Sequence, residues 1–124
     1  IGFGSGVERL VATLKEQKVQ PPALPRPTVQ VCYLGKGEAG QQAKQAALAL
    51  VRELRQAGVG ALFPFGDRSL KSQLKAADKA GVAHAVIVGE GELQSGHWTV
   101  RSLSDSSQQT IARADLVAWL AARQ

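Results

Sequence analysis

From Val29 onward, the apolar residues of this chain switch between short unbroken runs and helical spacing. Val29–Leu34, Ala61–Phe65 and Ala83–Val88 are apolar-rich runs bounded by glycine or polar residues, which predicts strands. Between them the period changes. Over residues 40–57, Ala43, Ala46, Ala47, Leu50, Leu54 and Ala57 fall on one face of a helix that Gly58 terminates. A second helix is predicted from a Ser69 cap to Ala80, with Leu70, Leu74 and Ala77 as its buried stripe and Gly81 as its stop. The run Ala83–Val88 has no polar alternation except His84, so this strand should be covered on both faces and central. Pro64 marks the second strand as an edge. Gln94-Ser95-Gly96 turns the chain into a strand at 97–103, a polar loop follows at 104–107, and a short strand covers 108–112. Asp115 opens a last helix, 115–123, on Leu116, Val117 and Leu120.

The order β-α-β-α-β-β-β-α predicts two crossovers and then a hairpin. That is an α/β fold, a three-layer α/β/α sandwich on a five-stranded mixed sheet. Ahead of it, Gly2, Gly4 and Gly6 lead into a helix over 7–18, with Val7, Leu10, Val11 and Leu14 at three- and four-residue spacing. Residues 19–28, VQPPALPRPT, hold four prolines and should form an extended linker. The domain boundary is placed there: 1–18 as the end of a preceding unit, 29–124 as the domain.

Composition narrows the function classes. One cysteine, Cys32, excludes an internal disulfide framework and a multi-cysteine metal site. It lies within a predicted strand, as a buried inert thiol. No apolar run reaches the ~18 residues that span a bilayer, and residues 1–9 lack the pattern of a signal peptide; the protein reads as cytoplasmic. Fifteen basic residues against ten acidic ones give a net charge of +5, which favours a polyanion as partner. Six aromatic residues are too few for a broad base-stacking sheet.

The charge is concentrated on the second helix of the sandwich. Arg68, Lys71, Lys75 and Lys79 fall within about 80° of arc at ~100° per residue, beside the apolar stripe. The central strand runs into a loop that holds Glu90 and Glu92. Cations on a helix next to paired carboxylates suit a polyanion that also carries hydrogen-bond donors, and folded RNA is one. Guanine offers two adjacent N–H donors on its Watson–Crick edge, which a carboxylate matches. No nucleophile or metal-ligand cluster accompanies the carboxylates, so acid–base catalysis is not indicated. His84 and His97 have no partner residues at ligand spacing. Gly35-Lys36-Gly37-Glu38-Ala39-Gly40 is a literal G-x-G-x-x-G after a strand. Glu38 would put a carboxylate in the phosphate cradle, so these glycines read as loop hinges; a small nucleotide-binding module is the alternative. A receiver domain is set aside, because Tyr-Leu-Gly-Lys at 33–36 lacks its acidic cluster.

GDRSLKSQLKAADKAG followed by AVIVGEGEL resembles the C-terminal anticodon-binding domain of the histidyl-tRNA synthetase family, a class IIa family, through roughly residues 29–124. Ile1–Arg9, IGFGSGVER, is similar to the end of the class II catalytic motif 3, and the two occur in the family's order. The resemblance implies a domain that holds the anticodon stem-loop of histidine tRNA, anticodon GUG, while a catalytic domain elsewhere uses ATP with Mg. It places Asp67, Arg68 and Lys75 toward the anticodon, Lys71 and Lys79 on phosphates, and Glu92 with Glu90 and Arg101 toward the bases. Arg9 corresponds to an arginine that contacts ATP in the full enzyme. Only one motif end is present, so this chain should need no cofactor and catalyse nothing alone, and full-length relatives should be homodimers. Glycyl, prolyl and threonyl synthetases share the fold, and a regulatory paralogue would share the pattern.

Overall fold

A computed structural model describes residues 1–24 and 26–123. Its elements are α1 (Val7–Glu16), β1 (Val29–Tyr33), α2 (Gly37–Gln56), β2 (Ala61–Leu62), α3 (Leu70–Ala80), β3 (His84–Val88), α4 (Glu90–Ser95), β4 (His97–Ser102), β5 (Gln108–Ala112) and α5 (Arg113–Ala121). The five strands form one sheet in the order β2-β1-β3-β4-β5. β1 pairs parallel with β2 and β3, and β3-β4-β5 is antiparallel. The central strand is β3, in agreement with its unbroken apolar run.

The strand order moves from β1 outward to β2 and back past β1 to β3, so the two crossover helices lie on opposite faces. α2, with α5, covers one face: Leu50 and Leu54 of α2 and Leu116 and Leu120 of α5 pack on Val31, Val86, Trp98 and Val100. α3 lies on the other face, where Leu70 and Leu74 meet Cys32, Ala85 and Ile87. α3 begins and ends where its sequence says. Ser69 Oγ accepts the Ser72 N–H at 3.2 Å, and Gly81 closes the helix in the left-handed region at φ 76°. Burial pushes the Cys32 thiol up to about 11, so it stays protonated within β1.

Several expectations change. β2 ends at Leu62 rather than Phe65, because Pro64 has no N–H to continue the ladder. α2 starts at Gly37 and buries Val51, whereas Ala57 is its exposed C-cap. α5 starts at Arg113, ahead of Asp115. Glu90 and Glu92 lie in a short helix, α4, rather than in a loop. At the outer edge of the sheet, Arg55 donates through Nε (3.1 Å) and Nη2 (2.8 Å) to the carbonyl of Ala61. α1 buries none of its residues, although Val7, Leu10, Val11 and Leu14 share a side. Among the described residues no helix is long and apolar enough to cross a membrane.

Candidate nucleic-acid interface

The candidate residues occupy two adjoining places: the rim at the C-terminal ends of β1 and β3, and the α3 side of the sheet. Tyr33 ends β1 and pairs with Val88, which ends β3. Beyond Tyr33's side of the rim lies the turn that carries Asp67 and Arg68. Beyond Val88 comes α4, with Glu90 and Glu92 in its first turn.

Lys71, Lys75 and Lys79 are all exposed on α3, opposite its buried Gln73 and Ala77. The cationic side that the spacing predicts is therefore present and solvated. Asp67 is less free than the sequence suggests. Its Oδ1 accepts the Tyr33 hydroxyl at 2.7 Å and the Lys44 ammonium at 3.2 Å. The Tyr33 hydrogen bond, followed by Lys44, holds the Asp67 carboxyl below the usual carboxylate range. Desolvation, then the Asp67 contact, pushes the Tyr33 hydroxyl up to about 12, so it remains a donor. A depressed folded pKa stabilises the fold above the unfolded value and loses that contribution as pH falls through the folded value. Acid titration of thermal stability from about pH 6 to pH 3 should therefore show a smaller loss in Tyr33→Phe than in the native chain. Equal losses would remove this pair from the acid response.

Glu92 also has partners. Its Oε2 accepts the Gly89 N–H at 3.0 Å, which caps α4, and its Oε1 accepts the Thr99 hydroxyl at 3.2 Å. The second bond carries the carboxylate to the α3 side of β4. Register puts Thr99 opposite Ile87 and Arg101 opposite Ala85, and both of those residues face α3. Arg101 thus follows Thr99 on the same face, about 7 Å along the strand. β5 extends that face with Gln108 opposite Arg101 and Thr110 opposite Thr99. Glu92, through Thr99, and Arg101, one repeat further along β4, lie on the same side of the sheet next to the strands that α3 covers, with no ion pair between them among the described residues. Glu90 is exposed and accepts Gln94 Nε2 at 3.4 Å.

Two motifs fall outside this surface. Arg9 is exposed on α1, a helix with no buried residue. The glycine loop of 35–40 is closed on itself. A Cβ on Gly40 would lie 2.6 Å from the Gly35 carbonyl oxygen, and Gly35 has φ +130°. The close approach these glycines permit is to each other, where a dinucleotide site would need it for pyrophosphate. The loop nonetheless borders a cavity of about 490 Å³ with Tyr33, Lys44, Asp67 and Arg68. Among the described residues no three His, Cys, Asp or Glu side chains come together to hold a metal ion.

Sequence reasoning missed Tyr33, Lys44 and Gln73. Gln73 had a readable cue: in the helical template Leu70, 73, 74, 77 it takes an apolar position.

The anticodon binding domain family matches residues 28–123. The chain belongs to that family. This anticodon-binding domain is 38% identical over 117 residues to the histidine–tRNA ligase of Dehalococcoides mccartyi, covering 94% of this chain and 27% of that one. With the histidine–tRNA ligase of Laribacter hongkongensis it is 38% identical over 124 residues, covering 99% and 28%. Its structure is similar to apo S. aureus histidyl-tRNA synthetase, with a TM-score of 0.71 at 25% identity over 93% of this chain and 28% of that one. A Nostoc histidyl-tRNA synthetase gives 0.66 at 29% identity over 95% and 28%. The domain spans about a quarter of the length of the relatives it matches.

Proposed function

We propose that this chain is the part of a histidyl-tRNA synthetase that holds the anticodon stem-loop of histidine tRNA. Residues 29–124 are the RNA-binding domain, and 19–28 tether it to a catalytic domain of which 1–18 are the end. Lys71, Lys75 and Lys79 neutralise phosphates and position the RNA, whereas Glu92 and Arg101 read bases, with Asp67, Arg68 and Glu90 at the rim. The longer protein supplies the ATP and Mg chemistry, acts as a homodimer and works in the cytoplasm. The reading is carried by one observation: Thr99, which bonds Glu92, and Arg101 share the half-buried face of β4 beside the cationic helix α3. An acceptor and a forked donor there match the mixed donor and acceptor edge of a guanine.

Glu92→Ala tests it. A single good base contact is worth ~1–3 kcal/mol of discrimination. The preference for a GUG stem-loop over one with a replaced guanine should shrink, while non-specific affinity stays level or rises as a negative charge leaves. Because Glu92 accepts the N–H of Gly89, the N-cap of α4, the same substitution should also lower stability. Thr99→Val separates the two roles: it removes one bond to Glu92 and leaves the cap. Titrations against both stem-loops at one salt concentration decide; an unchanged ratio in Glu92→Ala would show that Glu92 reads no base. A second expected result is that this 124-residue chain alone gives no histidine-dependent ATP–pyrophosphate exchange. Exchange above background in a clean preparation would overturn the division of labour.

A further inference from the structure

β1 outruns its neighbour. β2 pairs with Val29 and Gln30 and stops, although a continued register would bring Phe65 opposite Tyr33. The N–H and C=O of Tyr33 are satisfied by a side chain instead. Gln73 Oε1 accepts the Tyr33 N–H at 2.9 Å, and Gln73 Nε2 donates to the Tyr33 carbonyl at 2.8 Å. These are the two bonds that successive peptide units of β2 would make, supplied together from α3 by the side-chain amide of Gln73, a residue that is 0% exposed. The remaining Nε2 hydrogen goes to the carbonyl of Arg68 at 2.7 Å. Gln30 Nε2 donates to the Gln73 carbonyl at 2.9 Å and anchors the helix at that level. The side chain of Tyr33 holds the same turn from its other end. Its ring stacks on Phe63 at 5.3 Å and 14°, and its hydroxyl reaches Gly66 O at 3.1 Å as well as Asp67.

We propose that Tyr33 and Gln73 form a clamp that fixes the turn 66–69 in the shape that presents Asp67 and Arg68 to RNA. The proposal rests on the RNA-binding reading above. Stopping β2 early frees the turn from the sheet, and the clamp then restores its order through side chains. A turn ordered before binding spares the ligand that ordering cost. Neither residue needs to touch RNA; both are positioning residues.

Two measurements on the 124-residue chain test this. The first is backbone order at 66–69, read from amide 15N relaxation, in Tyr33→Phe, which keeps the ring stack and deletes the hydroxyl contacts, and in Gln73→Met. Order parameters at 66–69 should fall while those of β3 stay level. Unchanged order there in Tyr33→Phe overturns the clamp, and Tyr33→Phe decides on its own if Gln73→Met does not fold. The second is affinity for a GUG anticodon stem-loop in a cycle of Tyr33→Phe with Arg68→Ala. Losing hydroxyl contacts of this kind should weaken binding about three- to tenfold. Arg68→Ala should then cost less in the Tyr33→Phe background than in the native one. An equal cost in both backgrounds, with only stability lowered, makes the clamp a structural tie and overturns the proposal. If the native chain does not bind the stem-loop, the RNA reading fails, and the relaxation experiment still reports whether the turn is clamped.

Discussion

Replacing Lys71 and Lys75 together with glutamine is expected to halve the salt dependence of RNA binding. Both side chains are exposed on α3, and neither has a salt-bridge partner among the described residues. The fold therefore does not depend on them. If roughly four phosphates are neutralised at ~0.7 per phosphate, log K falls with log[salt] at a slope of about −2.8. Raising salt from about 50 to 200 mM then weakens the native chain about 50-fold. With two contacts removed the slope is about −1.4 and the same change in salt weakens binding about sevenfold. The loss should be alike for cognate and non-cognate stem-loops, because phosphate contacts carry no sequence information. Titrations at several salt concentrations check it. An unchanged slope would take α3 out of the contact surface.

Leu50→Ala should be the most destabilising of the substitutions considered. Leu50 is fully buried in α2, in the core shared with the sheet and α5. Removing it leaves a cavity in a layer that cannot collapse freely, for a cost of ~2–5 kcal/mol. At the shift per kcal/mol typical of a domain near this size, the melting temperature should drop by roughly 10–30 °C. Leu14→Ala is the matched control. Leu14 has the same residue type and helical spacing on α1, but it is 48% exposed. Its cost should stay within about 0.5 kcal/mol. Denaturant midpoints of the two variants check the pair, and similar losses would mean that α1 packs on the domain after all.

What could be read beforehand depended on how local the cause was. α3 was legible because its cap, its stop and its stripe are written in consecutive residues: Ser69, then Leu70, Leu74 and Ala77, then Gly81. β3 was legible as central because burial on both faces removes polar alternation. β2 was read too long because Phe63 and Phe65 look like strand residues. Phe63 instead stacks on Tyr33, and Phe65 is 91% exposed. α4 had no apolar period to show. Its first turn is held by the Glu92 carboxylate on the Gly89 N–H, with Thr99 from the next strand on the other oxygen. That second partner is fixed by the β3-β4 hairpin, which no local pattern reports. The lysine side of α3 was visible as periodicity. The partnering of Asp67 with Tyr33 and Lys44 was not, since it joins three elements far apart in the chain.

Arg55 gives the sheet a handed vulnerability. Neighbouring carbonyls along a strand point to opposite sides; that of Gly60 faces the β1 side, where it receives the N–H groups of Thr28 and Val29. The carbonyl of Ala61 therefore faces outward, and the Arg55 fork already occupies it. With only two residues and a guarded acceptor, β2 offers a foreign strand almost no template. At the opposite border, Gln108, Gln109 and Thr110 of β5 are exposed and carry no charge. Misassembly between copies of this chain, when it happens at high concentration, should begin at β5, and a lysine placed there would be the economical way to suppress it.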